Sequence, residues 1–163
     1  MLCKIDHYLK VLYRLSGYIA AVFLILVATF ILTGIASRIF GFYIRGLAEY
    51  SGYCMAASSF LALAYTFGEK GHIRITLFLE KVNEKVRRFL DLWCLAIATF
   101  FSGFLSYYFI KMLIISIKFG ERSEGADEIY IWIPQVAVAL GSTIFFVCVL
   151  HNFILLILKR NDN

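Results

Sequence analysis

The sequence predicts an all-α integral membrane protein: four transmembrane helices, an amphipathic interfacial helix between the second and third, and both termini cytoplasmic. Three observations carry that prediction. Hydrophobic residues make up 61% of the 163 and charged residues 17%, with a mean hydropathy of +0.81, whereas soluble domains carry about a quarter charged residues. Four long stretches, 15–37, 50–68, 92–110 and 129–158, contain no Asp, Glu, Lys or Arg; a helix rising about 1.5 Å per residue needs roughly 20 apolar residues to cross a hydrocarbon core. The Lys and Arg residues fall unevenly among the connecting segments.

The first span is expected over 15–37. Lys4, Lys10 and Arg14 precede it in the manner of a secretory signal, but its uncharged run exceeds the roughly 7–15 residues of a cleavable apolar core, so it is expected to be retained. The second span is expected over 47–68, with Glu49 near its start. It ends in Gly68-Glu69-Lys70-Gly71-His72-Ile73-Arg74. Beyond this turn, Ile75, Phe78, Leu79, Val82, Val86, Phe89 and Leu90 recur at spacings of three and four, the signature of one apolar helical face. Glu80, Lys81, Glu84, Lys85, Arg87 and Arg88 occupy the other side, and Glu84 with Arg88 forms a favourable i to i+4 pair. The only apolar material nearby is bilayer and spans, so 73–90 is expected to lie in the interface as an arm with a basic outer face, its apolar residues in the lipids. The third span is expected over 92–113, with Asp91 at its inner start and Lys111 near its outer end, and the fourth over 130–158, with the single proline, Pro134, near its start. The whole chain, 1–163, reads as one membrane domain.

Orientation follows from charge, because short loops rich in Lys and Arg stay in the cytoplasm. Eleven of the sixteen basic residues lie in the amino terminus, the loop between spans two and three, and the carboxyl tail. The other five are Arg38, Arg45, Lys111, Lys118 and Arg122, on the opposite side. The net charge of +5 is thereby accounted for by topology and anionic headgroups. No aromatic-interleaved basic patch points to nucleic acid.

Cys3, Cys54, Cys94 and Cys148 show no CxxC pairing, and the last three fall in expected spans, where a thiol behaves as a small apolar side chain. No disulfide or metal site is expected. Small residues three apart plus one, Gly17 and Ala21, Gly52 and Ala56, Ser58 and Ala62, Ser102 and Ser106, Ala137 and Gly141, read as helix-packing positions. Tyr43, Tyr50, Tyr53, Trp93, Tyr107, Tyr108, Tyr130 and Trp132 fall near the expected interfaces as an aromatic belt.

A carrier or pump places ionisable groups at mid-membrane, where they mark ion or substrate routes. None lies within the four uncharged runs, and Glu49, Asp91 and Lys111 sit at span ends within reach of headgroups or water. His151 is the exception among titratable groups, near the inner end of the fourth run. With His72 it defines an alternative reading, a haem- or quinone-binding membrane anchor of a respiratory complex. A self-sufficient small exporter would need a buried acid, which no span contains. No nucleophile with a neighbouring base, glycine-rich phosphate loop or catalytic carboxylate pair appears. The expectation is a chain with no catalytic residues, no cofactor and no metal.

Several positions together carry a family resemblance: Arg38 after span one, Glu49 opening span two, Gly71-His72-Ile73 with Ile75, Arg88 and Asp91 before span three, and Ile133-Pro134 entering span four. The chain resembles the small membrane subunit, the DctQ-like component, of the tripartite ATP-independent periplasmic (TRAP) transporters over nearly its whole length. It departs from the family in the acid content of its last outer loop, Glu121, Glu124, Asp127 and Glu128, and in having Cys54 and Met55 where aromatics often stand. The resemblance implies residence in a bacterial inner membrane and a sodium-coupled uptake system for an organic acid. In it a periplasmic binding protein captures substrate, a large many-helix membrane subunit carries substrate and sodium, and the small subunit extends a fixed scaffold. On that reading the apolar faces of the spans bind the large subunit, the arm fixes the scaffold in the membrane plane, and the acidic outer loop docks the binding protein.

Overall fold

The computed structural model describes residues 2–68, 84–125 and 128–158. These form four α-helices: α1 (Leu2–Ile39), α2 (Leu47–Gly68), α3 (Glu84–Phe119) and α4 (Trp132–Leu158). Most of the expected arm, including Ile75, Phe78, Leu79 and Val82, lies outside the described residues, as do Gly71, His72 and Asp127.

Two helices are longer than the uncharged runs suggested. α1 has 38 residues and α3 has 36, about 57 and 54 Å at 1.5 Å per residue, well beyond a hydrocarbon core of roughly 30 Å. The expected boundary between arm and third span near Asp91 is absent: α3 runs unbroken from Glu84 through that residue. The physical reason is that no glycine or proline occurs between Glu84 and Ser102. The change from charged to apolar side chains alters what the helix faces, while every backbone i to i−4 bond continues. Helix termination elsewhere follows local chemistry. Gly41 and Gly120 sit at positive φ, 75° and 61°, and just past them Phe42 and Glu121 donate their N–H groups to the Ser37 and Ser116 carbonyls at 3.0 and 3.2 Å. These are Schellman closures, in which a residue without a Cβ takes the left-handed turn. Pro134 stands in the first turn of α4, where no intrahelical N–H is required.

The helices pack in the spatial order α1, α2, α4, α3, with α1 touching α4 lightly. α2 and α4 form the middle of the row, and their seam is built from small residues. A Cβ on Gly141 would lie 2.7 Å from the Phe60 carbonyl carbon and 2.9 Å from the Leu61 nitrogen, so the two backbones are in contact there. Gly17 of α1 receives the Tyr65 ring in the same manner, and Gly103 of α3 the Phe146 ring. The expected packing positions at Gly17, Ser58, Ser102, Ser106 and Gly141 therefore coincide with helix contacts; Gly52 faces open space.

Polarity is arranged the opposite way from a water-soluble bundle. Seven serines, including Ser58, Ser102, Ser106, Ser116 and Ser142, are buried, while Leu24, Ile25, Leu32, Phe100, Phe101 and Phe104 are exposed. Each buried hydroxyl named here has a partner: Ser58 of α2 donates to the Ala20 carbonyl of α1 at 2.9 Å, and Ser106 pairs with Thr143 of α4 at 3.0 Å. Ser102 and Ser142 donate within their own helices, and Ser116 donates to a Glu121 carboxylate oxygen at 2.7 Å. Small side chains that let backbones approach, with hydroxyls bonded inward, are what helices in lipid use for association.

The stretches His7–Ile39, Phe89–Phe119 and Trp132–Ile157 are long and apolar enough to cross a membrane. α2 has the length, 22 residues, but a sequence richer in Gly, Ser and Tyr. Its position explains the difference: flanked by α1 and α4, it presents Ala57, Ser58, Leu61 and Ala64 to neighbouring helices and has less surface to clothe with Leu and Ile.

Candidate functional site

At one end of the row lie the 40–46 and 120–131 connections. The second connection is a short hairpin. Ser123 donates to the Ile129 carbonyl at 2.8 Å and Ile131 to that of Glu121 at 3.1 Å, with an antiparallel bridge between Arg122 and Tyr130. The Arg122 guanidinium lies 4.9 Å from the Tyr130 ring centroid and donates to its hydroxyl at 3.2 Å. Glu128 holds φ at 49°, a left-handed position uncommon outside glycine. Tyr53 of α2 reaches the hairpin through a 2.8 Å hydrogen bond with Ser123, so α2 sets the position of the loop whose ends belong to α3 and α4. That tie was legible only as a belt tyrosine in the sequence. Tyr53→Phe is expected to cost about 1 kcal/mol of local stability and so raise amide exchange of 121–131 roughly fivefold, measured by hydrogen–deuterium exchange with α1 as internal reference.

Among the acids expected to face a partner, Glu124 and Glu128 are exposed. Glu121 is also exposed, but it accepts the Ser116 hydroxyl and closes the end of α3. Arg38, in the last turn of α1, and Glu49, in the first turn of α2, line one cavity of about 370 Å³. Sequence reasoning had named both without relating them; the turn at 40–46 brings them to the same opening.

At the opposite end, Lys10, Arg14 and Tyr13 of α1 surround a smaller cavity of about 240 Å³ with Tyr65 and Gly68 of α2. Tyr13 is buried there with Ala64 and Cys148, and Leu9, Phe67, Ile144 and Phe145 pack around them. Val86, Phe89 and Leu90, the described members of the expected arm face, are exposed near the start of α3, where the Phe89 ring lies 6.2 Å from that of Trp93. Asp91 is half-buried about two turns into the same helix, Pro134 half-buried at the start of α4, and His151 half-buried near its end. The two ends thus differ: one carries an ordered hairpin and a mixed-charge cavity, the other exposed apolar residues and the cavity lined by Lys10 and Arg14.

Residues 26–159 match the family described as tripartite ATP-independent periplasmic transporters, DctQ component. The chain is a DctQ-family protein. No curated protein and no solved structure matches it. The DctQ match runs from the middle of α1 to the end of α4. It takes in Arg38, Glu49, the 120–131 hairpin, Asp91 and Pro134, whereas Lys10, Tyr13 and Arg14 precede it. DctQ is a component of a transporter and not an enzyme family. In this DctQ chain the long apolar helices make a membrane protein, and their exposed Leu, Ile and Phe side chains make its surface.

Proposed function

We propose that this chain is the small scaffold subunit of a sodium-coupled TRAP transporter in a bacterial inner membrane. It crosses the membrane four times with both termini in the cytoplasm and supports a large many-helix subunit during uptake of an organic acid delivered by a periplasmic binding protein. The DctQ match over residues 26–159 is the observation that carries this reading. Two physical arguments support it. The uncharged runs contain no Asp, Glu, Lys or Arg to form an ion path, so coupling to sodium belongs to another subunit. A row four helices wide, with α1 and α3 at its edges, exposes more apolar flank than a compact bundle would, which suits a slab laid against a larger membrane protein.

Tagged chain expressed with its native neighbouring genes and purified in mild detergent should yield a colourless complex containing one larger membrane protein, and deleting this chain should abolish uptake. A haem absorption band with a co-purifying soluble dehydrogenase would overturn the proposal. Within it, the outer hairpin acids dock the binding protein and the 73–90 arm anchors the scaffold in the interface. Neutralising Glu121, Glu124, Asp127 and Glu128 together should weaken binding-protein affinity about tenfold at low salt and less at high salt, as screened charge contacts do. Affinity and uptake equal to the native chain would remove the docking role.

A further inference from the structure

The Arg38–Glu49 cavity has properties that the transporter reading leaves unused. It is about 370 Å³, within the roughly 300–1,000 Å³ range of small-ligand sites. Its walls are graded. Arg38 and Glu49 lie where α1 ends and α2 begins, while Phe30, Ile31 and Gly34 line it deeper along α1. Eight residues separate Phe30 from Arg38, so the apolar part descends about 12 Å below the charged rim. Each charge on its own has an ordinary explanation, since a cation in the last turn and an acid in the first turn both complement helix dipoles. That explanation accounts for neither the cavity nor its apolar depth.

We infer that this cavity holds one phospholipid with a primary-ammonium headgroup: its phosphate on Arg38, its ammonium on Glu49, and the start of an acyl chain against Phe30 and Ile31. A free anion, or a lipid with an anionic headgroup, would gain from Arg38 but meet the Glu49 carboxylate in the same opening. A choline headgroup has no N–H to donate. Only a headgroup carrying both charges and N–H donors uses both rim residues, and only a lipid uses the depth. Arg–phosphate contacts are among the stronger charge-assisted hydrogen bonds. The inference requires that this end lie at a membrane interface and is independent of what the complex transports.

The test is native mass spectrometry of the full chain, purified in mild detergent and titrated with phosphatidylethanolamine, phosphatidylcholine or phosphatidylglycerol. The native chain should bind one phosphatidylethanolamine about tenfold more tightly than either other lipid. Glu49→Gln should erase the preference over phosphatidylglycerol, and Arg38→Gln should weaken all three. Gly34→Leu should exclude all of them by filling the cavity. The nearest atom to a Cβ at Gly34 is Leu47 Cδ1 at 3.8 Å, and leucine is a better helix former than glycine, so this variant keeps its fold, checked by circular dichroism. Equal binding of the three lipids to the native chain, unchanged phosphatidylethanolamine binding in folded Gly34→Leu, or displacement of the lipid by millimolar inorganic phosphate would each overturn the inference.

Discussion

Gly141→Leu is expected to pry α2 from α4 and to abolish assembly with a larger membrane partner. The obstacle is backbone: the Phe60 carbonyl carbon and Leu61 nitrogen stand 2.7 and 2.9 Å from where even a methyl would sit, and neither can rotate aside. Overpacking of this kind costs about 1–3 kcal/mol when side chains can adjust. A leucine against main chain falls at or above the top of that range, and it strikes the seam that unites the two halves of the row. The Ser58–Ala20 and Ser106–Thr143 bonds lie within single halves, and the seam itself is crossed by the weaker thiol bond from Cys148 to the Ala64 carbonyl at 3.5 Å. Thermal melting in detergent should fall by several degrees for Gly141→Ala and by much more for Gly141→Leu. Gly52→Ala is the contrast, because nothing lies within 4 Å of its Cβ; it should be neutral or stabilising by up to about 1 kcal/mol. A Gly141→Leu chain that melts with the native one would mean that α2 and α4 do not meet as described.

Replacing Phe78, Leu79 and Val82 together with aspartate is expected to have the largest effect on transport. Each buried apolar side chain of this size is worth roughly 1.5–3 kcal/mol, so three of them supply most of the proposed interfacial binding of the arm, and each substitution adds an acid repelled by anionic headgroups. The spans are untouched, so the protein should insert and fold while uptake falls to background. Site-specific labelling at the arm should report transfer from the interface to water. If uptake and complex assembly both survive, the arm has no part in function.

Charge alone would not single out the arm's role. Val86 and Phe89 belong at once to the apolar periodicity expected over 73–90 and to α3. Period and polarity were legible at those positions because side chains at i, i+3 and i+4 share a face whatever the helix packs on. The continuity of α3 through Asp91 was not legible, because a charged residue marks a change of solvent and only a glycine, proline or cap marks a change of backbone. The stretch 47–68, expected as the second span, is helical as α2; Gly46 precedes it and Gly68 is its last residue. Of the residues proposed for function, Arg38 and Glu49 were readable as span-end charges, yet their sharing of one cavity was not.

The sequence by itself determined the class of this protein, since long uncharged runs can bury their backbone polar groups in lipid only as helices. It also determined the family, through spans and punctuation spread along the chain. What only the tertiary structure decided is which helix neighbours which. Gly141 meets the Phe60 backbone and Gly17 the Tyr65 ring, and Tyr53 reaches the hairpin 70 residues further along. Small residues recur throughout the spans, and their spacing states only that a close approach is permitted. The partner that takes it is chosen by shape and hydrogen bonding across the whole seam, a property of two helices together and of neither alone.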